Sequence, residues 1–457
     1  MSTNVVDVKD FIDKRPLSAY QWLVVGLCFV VAMLDGIDSA AMGFIAPSLL
    51  ADWKLPRVAF GAILSASMFG FAIGAMVVGP FADRFGRRKI LIGSVLAFGL
   101  FNALCALARS PTELAALRLV TGIGLGAAMP TAATLLSEYV PMRLRAFLIT
   151  VMFAGFAMGS GLAGFIASIL LADYGWQGVL LFSGALPVAS VPVLLWLLPE
   201  SARFLTVLER PSSEIALLLN RVCKGGFTGS EAFTSPEPVI AHKAKVPVQL
   251  LFEGGRAFGT VMLWLSCFMG LLILYLITGW LPTLITDAGS TVQQAASISA
   301  RFQVGSIPGA LLVGFLMDRF SGNRIVAIAY VLGGVAILSL GANILNAGWL
   351  PVQVGVAGFF IGGAQTGLNA IAPSFYPTQV RATGVSWMNG IGRGGGILGS
   401  LIGGLLLSLG WQFGAVFAAL AIPALIAATG VILHGLSTRA ESGNATLPSH
   451  GAAERSK

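Results

Sequence analysis

Uninterrupted apolar runs of about 20 residues recur along this chain, and no other feature constrains its fold as strongly. They cover residues 20–48, 57–80, 90–108, 113–137, 146–171 and 177–198, then 258–285, 294–317, 325–345, 350–373, 383–408 and 411–435. Each run matches the hydrocarbon thickness of a bilayer, where only a helix or a closed barrel satisfies its own backbone. Twelve such runs predict an all-α membrane protein with twelve transmembrane helices. Composition agrees: 11% of the 457 residues are charged, against about 25% in soluble proteins. A soluble multidomain chain is excluded on that ground, a disordered chain by the 56% hydrophobic content, and a disulfide scaffold by four scattered cysteines. With Cys28, Cys105, Cys223 and Cys267 divided among spans and the linker, no disulfide is expected.

One long polar stretch, 199–256, separates the first six spans from the last six. It carries Glu200, Arg203, Glu209, Arg210, Lys224, Lys243 and Lys245, and is expected to be a linker with one short helix. The expected organisation is a six-helix bundle over 1–198, the linker over 199–256, a second bundle over 257–436 and a tail over 437–457. Asp7, Asp10 and Asp13 precede a first run too long for the apolar core of a signal peptide, so none is expected. Basic residues fix the orientation. With the N-terminus inside, 22 of the 28 Lys and Arg fall in inner segments. The outer loops hold only Lys54, Arg57 and Arg109, while Arg118, Arg301 and Arg393 lie within spans. Both termini are therefore expected in the cytoplasm of a multi-pass protein. The same distribution accounts for the net charge of +8, and no basic module supports nucleic-acid binding.

The two halves repeat each other at an offset of 235–236. Asp83-Arg84-Phe85 recurs as Asp318-Arg319-Phe320, Pro141 and Arg145 as Pro377 and Arg381, and Gly122 and Gly126 as Gly358 and Gly362. Gly155, Gly159, Gly161 and Gly164 recur as Gly390, Gly394, Gly396 and Gly399, and Gly175-Trp176-Gln177 as Gly410-Trp411-Gln412. Parallel six-helix repeats about an axis along the membrane normal describe the major facilitator fold, two pseudo-symmetric six-helix bundles.

A few ionisable residues break the apolar runs, and burial in a membrane makes each a functional candidate. Asp35 and Asp38 lie about midway along the first span, and their i, i+3 spacing places both carboxylates on one helix face. Two acids so close in a poorly solvated cavity titrate as a coupled pair, which suits a proton carrier; permanent neutralisation by arginine is the alternative. Arg118, in Leu114-x3-Arg118-x3-Gly122-x-Gly124, is the expected countercharge. Arg393, within Asn389-Gly-Ile-Gly-Arg393-Gly-Gly-Gly, offers a planar fork in a glycine-cleared space, suited to a carboxylate or to a structural ion pair. Tyr275, Gln303, Gln365, Asn369 and Trp387 are further positions that could reach a substrate cavity, with Asp38 also counted among the substrate contacts. Arg301 lies near a span end and can snorkel. His242, His434 and His450 fall in the linker, at a helix end and in the tail, outside the expected proton site. No metal-ligand cluster, phosphate loop or nucleophile–base pair is present, so neither an enzyme nor a cofactor is expected.

The segment Gly79-Pro-Phe-Ala-Asp83-Arg84-Phe-Gly86-Arg87-Arg88-Lys89 resembles the signature loop of the major facilitator superfamily. A carboxylate, tight-turn glycines and a basic cluster make a charged latch, so Asp83, Arg84, Gly86 and Arg87 are expected to gate. Arg143 or Arg145 is the expected partner of Asp83, with Asp318 as its weaker copy. On the simpler alternative Arg87, Arg88 and Lys89 only set topology. Asp35-Gly-Ile-Asp38-Ser-Ala-Ala-Met-Gly-Phe-Ile-Ala-Pro47, Thr134-Leu-Leu-Ser-Glu138-Tyr139, Pro199-Glu-Ser-Ala-Arg-Phe-Leu205 and Phe375-Tyr-Pro-Thr-Gln-Val-Arg-Ala-Thr-Gly-Val-Ser-Trp387 together resemble the aromatic acid:proton symporter family, from about Val8 to His434. That resemblance is greatest to transporters of 4-hydroxybenzoate and protocatechuate. It implies import of an aromatic carboxylate with protons across a bacterial inner membrane by a functional monomer in the lipid bilayer. It carries Asp35, Asp38, Arg118 and Arg393 as functional positions. It leaves the ring substitution open among 4-hydroxybenzoate, 3-hydroxybenzoate, protocatechuate, gentisate and benzoate. A proton-independent facilitator or exporter of such acids is the alternative.

Overall fold

The computed structural model describes residues 5–223, 226–229, 231–234, 248–253, 255–342, 348–376 and 381–445. Its membrane-length helices are α2 (Ala19–Trp53), α3 (Arg57–Phe85), α4 (Arg87–Cys105), α5 (Pro111–Tyr139), α6 (Met142–Leu197), α9 (Ala257–Asp287), α10 (Val292–Arg319), α11 (Gly322–Ala342), α12 (Leu350–Phe375), α13 (Arg381–Ser408) and α14 (Phe413–Ala445). These are 11 helices, yet they supply twelve spans. The 56-residue α6 is interrupted at Gly175, whose φ of 62° and ψ of −166° are not helical. A left-handed φ there suits glycine, so the fifth and sixth spans join through one residue. Gly410 of the repeated Gly-Trp-Gln motif has a positive φ of 81° as well. Trp176 donates its indole N–H to Asp52 Oδ2 at 2.9 Å and stands edge-on to Trp53, fastening the bend to the end of α2.

Helix starts follow local chemistry. Ser18 opens α2 with a capping box, its hydroxyl accepting the Gln21 N–H while the Gln21 side chain accepts the Ser18 N–H. Ser110 caps α5, with Pro111 in the first helical turn and Glu113 nearby.

The chain divides into two compact units. The first comprises Met1–Ala244, Leu276–Val304 and Ser400–Gln412. Within it α2 packs on α6, and α3 and α4 pack on α5. The α2–α6 seam is close because small residues face each other: a Cβ on Gly36 would strike the Phe156 carbonyl, and one on Gly159 the Met33 carbonyl. Also inside this unit, the C-terminal ends of α2, α9 and α13 meet the N-terminal ends of α3 and α10. Arg57 pairs with Asp287 at 2.7 Å, Trp280 donates to the Ser400 carbonyl at 2.9 Å, and Phe60 lies edge-on to Trp280. The second unit comprises Lys245–Tyr275, Gly305–Gly399 and Phe413–Lys457, and within it α11 packs on α12 and α14.

The polar segments fold further than their sequence foretells. The N-terminal strand β1 (Val5–Asp7) pairs in parallel with β2 (Ala232–Thr234), Val5 opposite Ala232. Between them lie α1 (Val8–Asp13), α7 (Ala202–Val207) and α8 (Ser212–Cys223), so the described part of the linker holds two short α-helices, and a 3-10 turn at Val248–Leu251, where one short helix was expected. Val8, Ile12, Leu219 and Val222 are buried, and Phe11, Phe227 and Phe233 form an aromatic cluster. Asp13 accepts the Met142 N–H at 2.8 Å, tying this small cap to the start of α6.

Candidate functional site

Asp35 and Asp38 lie near the middle of α2 and are fully buried in the first unit. Arg118, two turns into α5, is 1% exposed. Its Nη1 donates to Asp38 Oδ1 at 3.2 Å, the countercharge expected from sequence. The same Nη1 donates to Asn102 Oδ1 of α4 at a shorter 2.9 Å, and Nη2 donates to Ser67 Oγ of α3 at 3.4 Å. Asn102 is itself fixed, because its Nδ2 donates to Ser183 Oγ at 2.9 Å. Asp35 accepts the Ser39 hydroxyl at 3.0 Å.

A buried ion pair holds only when its hydrogen bonds offset the desolvation of both charges. Here the offset is incomplete. Asp38 Oδ2 and Arg118 Nε are buried with no hydrogen-bond partner. One carboxylate oxygen is thus bare at the place where a proton would bind. The arrangement can exchange a salt bridge for a neutral acid beside a solvated guanidinium, and little else that is chemical.

In the second unit Arg393 of α13 is half-buried and donates to the Tyr275 hydroxyl of α9 at 2.7 Å. Two residues named together from sequence are therefore in contact. Gln365 is 6% exposed and accepts the Tyr330 hydroxyl at 2.9 Å, within the packing of α11 and α12. Trp387 is 45% exposed and stacked on Trp264, and Asn369 is exposed. Gln303 falls in the first unit, donating to Thr278 Oγ1 at 2.9 Å. It borders a cavity with Phe44, Ile277 and Phe302 of about 10 Å³, room for one water and not for an aromatic acid. His434 is 1% exposed inside α14, facing Asn323 and the Phe375 ring.

The basic loop is engaged rather than merely topogenic. Arg87 Nε lies 3.4 Å from Glu138 Oε1, both side chains mostly buried, and its guanidinium covers the Phe204 ring. Arg88 donates its backbone N–H to Glu200 Oε1 at 3.2 Å, and its side chain reaches the Leu195 carbonyl. Gly86 is buried at φ 102° against the Glu200 carboxylate, where no larger residue fits. The sequence offers Glu138 and Glu200 as parts of family motifs; their pairing with Arg87 and Arg88 emerges from the fold. Arg84 is exposed over Phe85, and Asp318 is exposed. The Asp83 side chain, and that of Arg381, lie outside the described residues. Of the two arginines expected to meet Asp83, Arg143 donates to the Arg15 carbonyl at 3.2 Å, and Arg145 is half-buried.

Known proteins share this sequence and fold. The profile of the Major Facilitator Superfamily matches residues 28–340 and 263–452. A gallate transporter of Pseudomonas putida is 54% identical over 430 residues, covering 94% of this chain and 95% of that protein. The 4-hydroxybenzoate transporter PcaK of Pseudomonas aeruginosa is 46% identical, covering 96% and 98%. Among solved structures, the inward open xylose transporter XylE of Escherichia coli superposes with a TM-score of 0.71 at 16% identity, over 90% of this chain and 95% of that one, a likeness of fold. With matches of this extent, the chain belongs to the Major Facilitator Superfamily of membrane transporters, in the group that includes these gallate and 4-hydroxybenzoate carriers.

Proposed function

We propose that this protein imports a hydroxylated aromatic monocarboxylate, of the gallate and 4-hydroxybenzoate class, together with protons across a bacterial inner membrane. The observation that carries the reading is the buried Asp38–Arg118 pair with its bare carboxylate oxygen, in a chain 54% identical to a gallate transporter. In the cycle, a proton binds Asp38 and releases the hold of its carboxylate on Arg118. The aromatic carboxylate docks at Arg393, whose fork is oriented by the Tyr275 hydroxyl. Alternating access then moves site and cargo between the two sides, with Arg87, Arg88, Glu138 and Glu200 as the latch. Asp83 and Asp35 belong to the latch and to the proton site respectively. The 22 inner basic residues support cytoplasmic termini, and nothing in the cycle requires a second copy of the chain. One proton with one monoanion moves no net charge, whereas a second proton would add about 2.3 kcal/mol per 100 mV.

Uptake of radiolabelled gallate and 4-hydroxybenzoate by cells, with and without a protonophore, tests the reading. Accumulation abolished by the protonophore and by Asp38→Asn is expected. Accumulation against a gradient that survives both treatments would point to another driving ion, and uptake that only equilibrates across the membrane to a facilitator.

A further inference from the structure

When Asp38 takes a proton, Arg118 loses its counter-anion while remaining buried. An isolated guanidinium in such a place is expensive, and something must solvate it through that part of the cycle. The surroundings limit the choice. Among the described residues, Asp35 lies one turn from Asp38 on α2, and Cys105 at the end of α4 lies beside Arg118. Asp35 accepts from Ser39, and Cys105, a buried thiol one turn from Asn102 on α4, also meets Arg118 but offers only sulfur, a weak acceptor. From α3 comes the hydroxyl of Ser67, at a marginal 3.4 Å. From α6 comes Ser160, whose hydroxyl is given to the Gly36 carbonyl.

Asn102 fits the requirement. Its amide oxygen already accepts from Arg118 at 2.9 Å, closer than the carboxylate does, and its amide nitrogen is anchored on Ser183, which fixes which end faces the arginine. It is fully buried, so no water competes for the contact. We propose that Asn102 is a positioning residue of the proton-coupled step, the neutral acceptor that keeps the Arg118 guanidinium in place while Asp38 is protonated. The step is a proton binding: hydronium from the outer solution gives its proton to Asp38 and leaves as water, an O–H bond forms on Asp38, the ion pair is lost, and the site gains one positive charge that Asn102 solvates. Because Asn102 shares Arg118 with Asp38, it also sets how firmly the arginine opposes protonation. The inference rests on the proton-coupled reading above.

The test is the pH profile of gallate or 4-hydroxybenzoate uptake by the full-length protein in Asn102→Leu, Asn102→Asp and Asp38→Asn variants, normalised to protein in the membrane. Asn102→Leu leaves Arg118 to Asp38 alone, and its uptake midpoint is expected about one pH unit lower. Asn102→Asp offers Arg118 a second carboxylate, and its midpoint is expected about one unit higher. Should either variant fail to reach the membrane, Ser183→Ala loosens the anchor only and is expected to shift the midpoint down by a smaller amount. Profiles that superimpose on that of the unaltered protein, with uptake merely reduced, would overturn the role of Asn102 while Asp38→Asn still abolishes accumulation. Accumulation retained by Asp38→Asn would instead overturn the proton-coupled reading, and this inference with it.

Discussion

The α-carbon of Gly43 lies so close to the carbonyl oxygen of Thr278 that a Cβ at position 43 would overlap it. Helices α2 and α9, from opposite halves of the sequence, therefore meet backbone to backbone within the first unit. Gly43→Ala is expected to wedge this contact, since a carbonyl held in a helix cannot yield as a side chain can. Uptake should fall at least several-fold at unchanged membrane abundance, and a reporter Arg57→Cys nearby should react faster with a membrane-impermeant maleimide. Unaltered uptake and labelling would show that the contact is not maintained during transport.

Beside it, Arg57 and Asp287 form an ion pair at 2.7 Å with both side chains over a third exposed. Exposed pairs contribute about 0.2–1 kcal/mol, so Asp287→Asn should change the uptake rate by less than about fivefold. Asp287→Arg places two cations together and should do more harm, which Arg57→Asp in the same protein should partly relieve. A double-mutant cycle on uptake, repeated at low and high salt, measures the coupling; additive effects would mean the pair contributes nothing.

Arg87 and Glu138 are less exposed, at 15% and 12%, and removal of either partner leaves a largely buried charge. Glu138→Ala and Arg87→Ala are each expected to cost about 3 kcal/mol, the double variant clearly less than their sum. Thermal unfolding of the purified protein in detergent reads this directly. Glu200→Ala should also destabilise, since the Arg88 and Ser201 N–H groups both lose an acceptor.

The cap that joins the N-terminal segment to the linker should protect the linker from proteases. Phe11→Ala removes a ring that sits 4.9 Å from that of Phe227 and should make tryptic cleavage at exposed Arg221 several-fold faster. Cleavage at an unchanged rate would show that β1 and α1 do not shield α8.

Much of the membrane fold was legible because lipid imposes long apolar runs, and the repeat of Asp83-Arg84-Phe85 and Gly175-Trp176-Gln177 exposed the two halves. Asp38 and Arg118 were legible for the same reason: charge stands out where charge is avoided. Asn102 was not, because a neutral amide in an apolar run costs little and resembles any other polar residue there. Gln365 and Gln303 show the converse limit. Sequence placed them in helices, but only packing reveals that Tyr330 and Thr278 already occupy their polar atoms. The strands β1 and β2 were invisible because three residues carry no periodicity, and their pairing joins positions 5 and 232.

That last separation has a consequence for biosynthesis. Val5 leaves the ribosome long before Ala232, and the six spans between them must enter the membrane first. Contacts so distant in sequence form late, after the loop that joins them has closed. The earliest residues made thus wait for the sixth span and the linker before they are fastened.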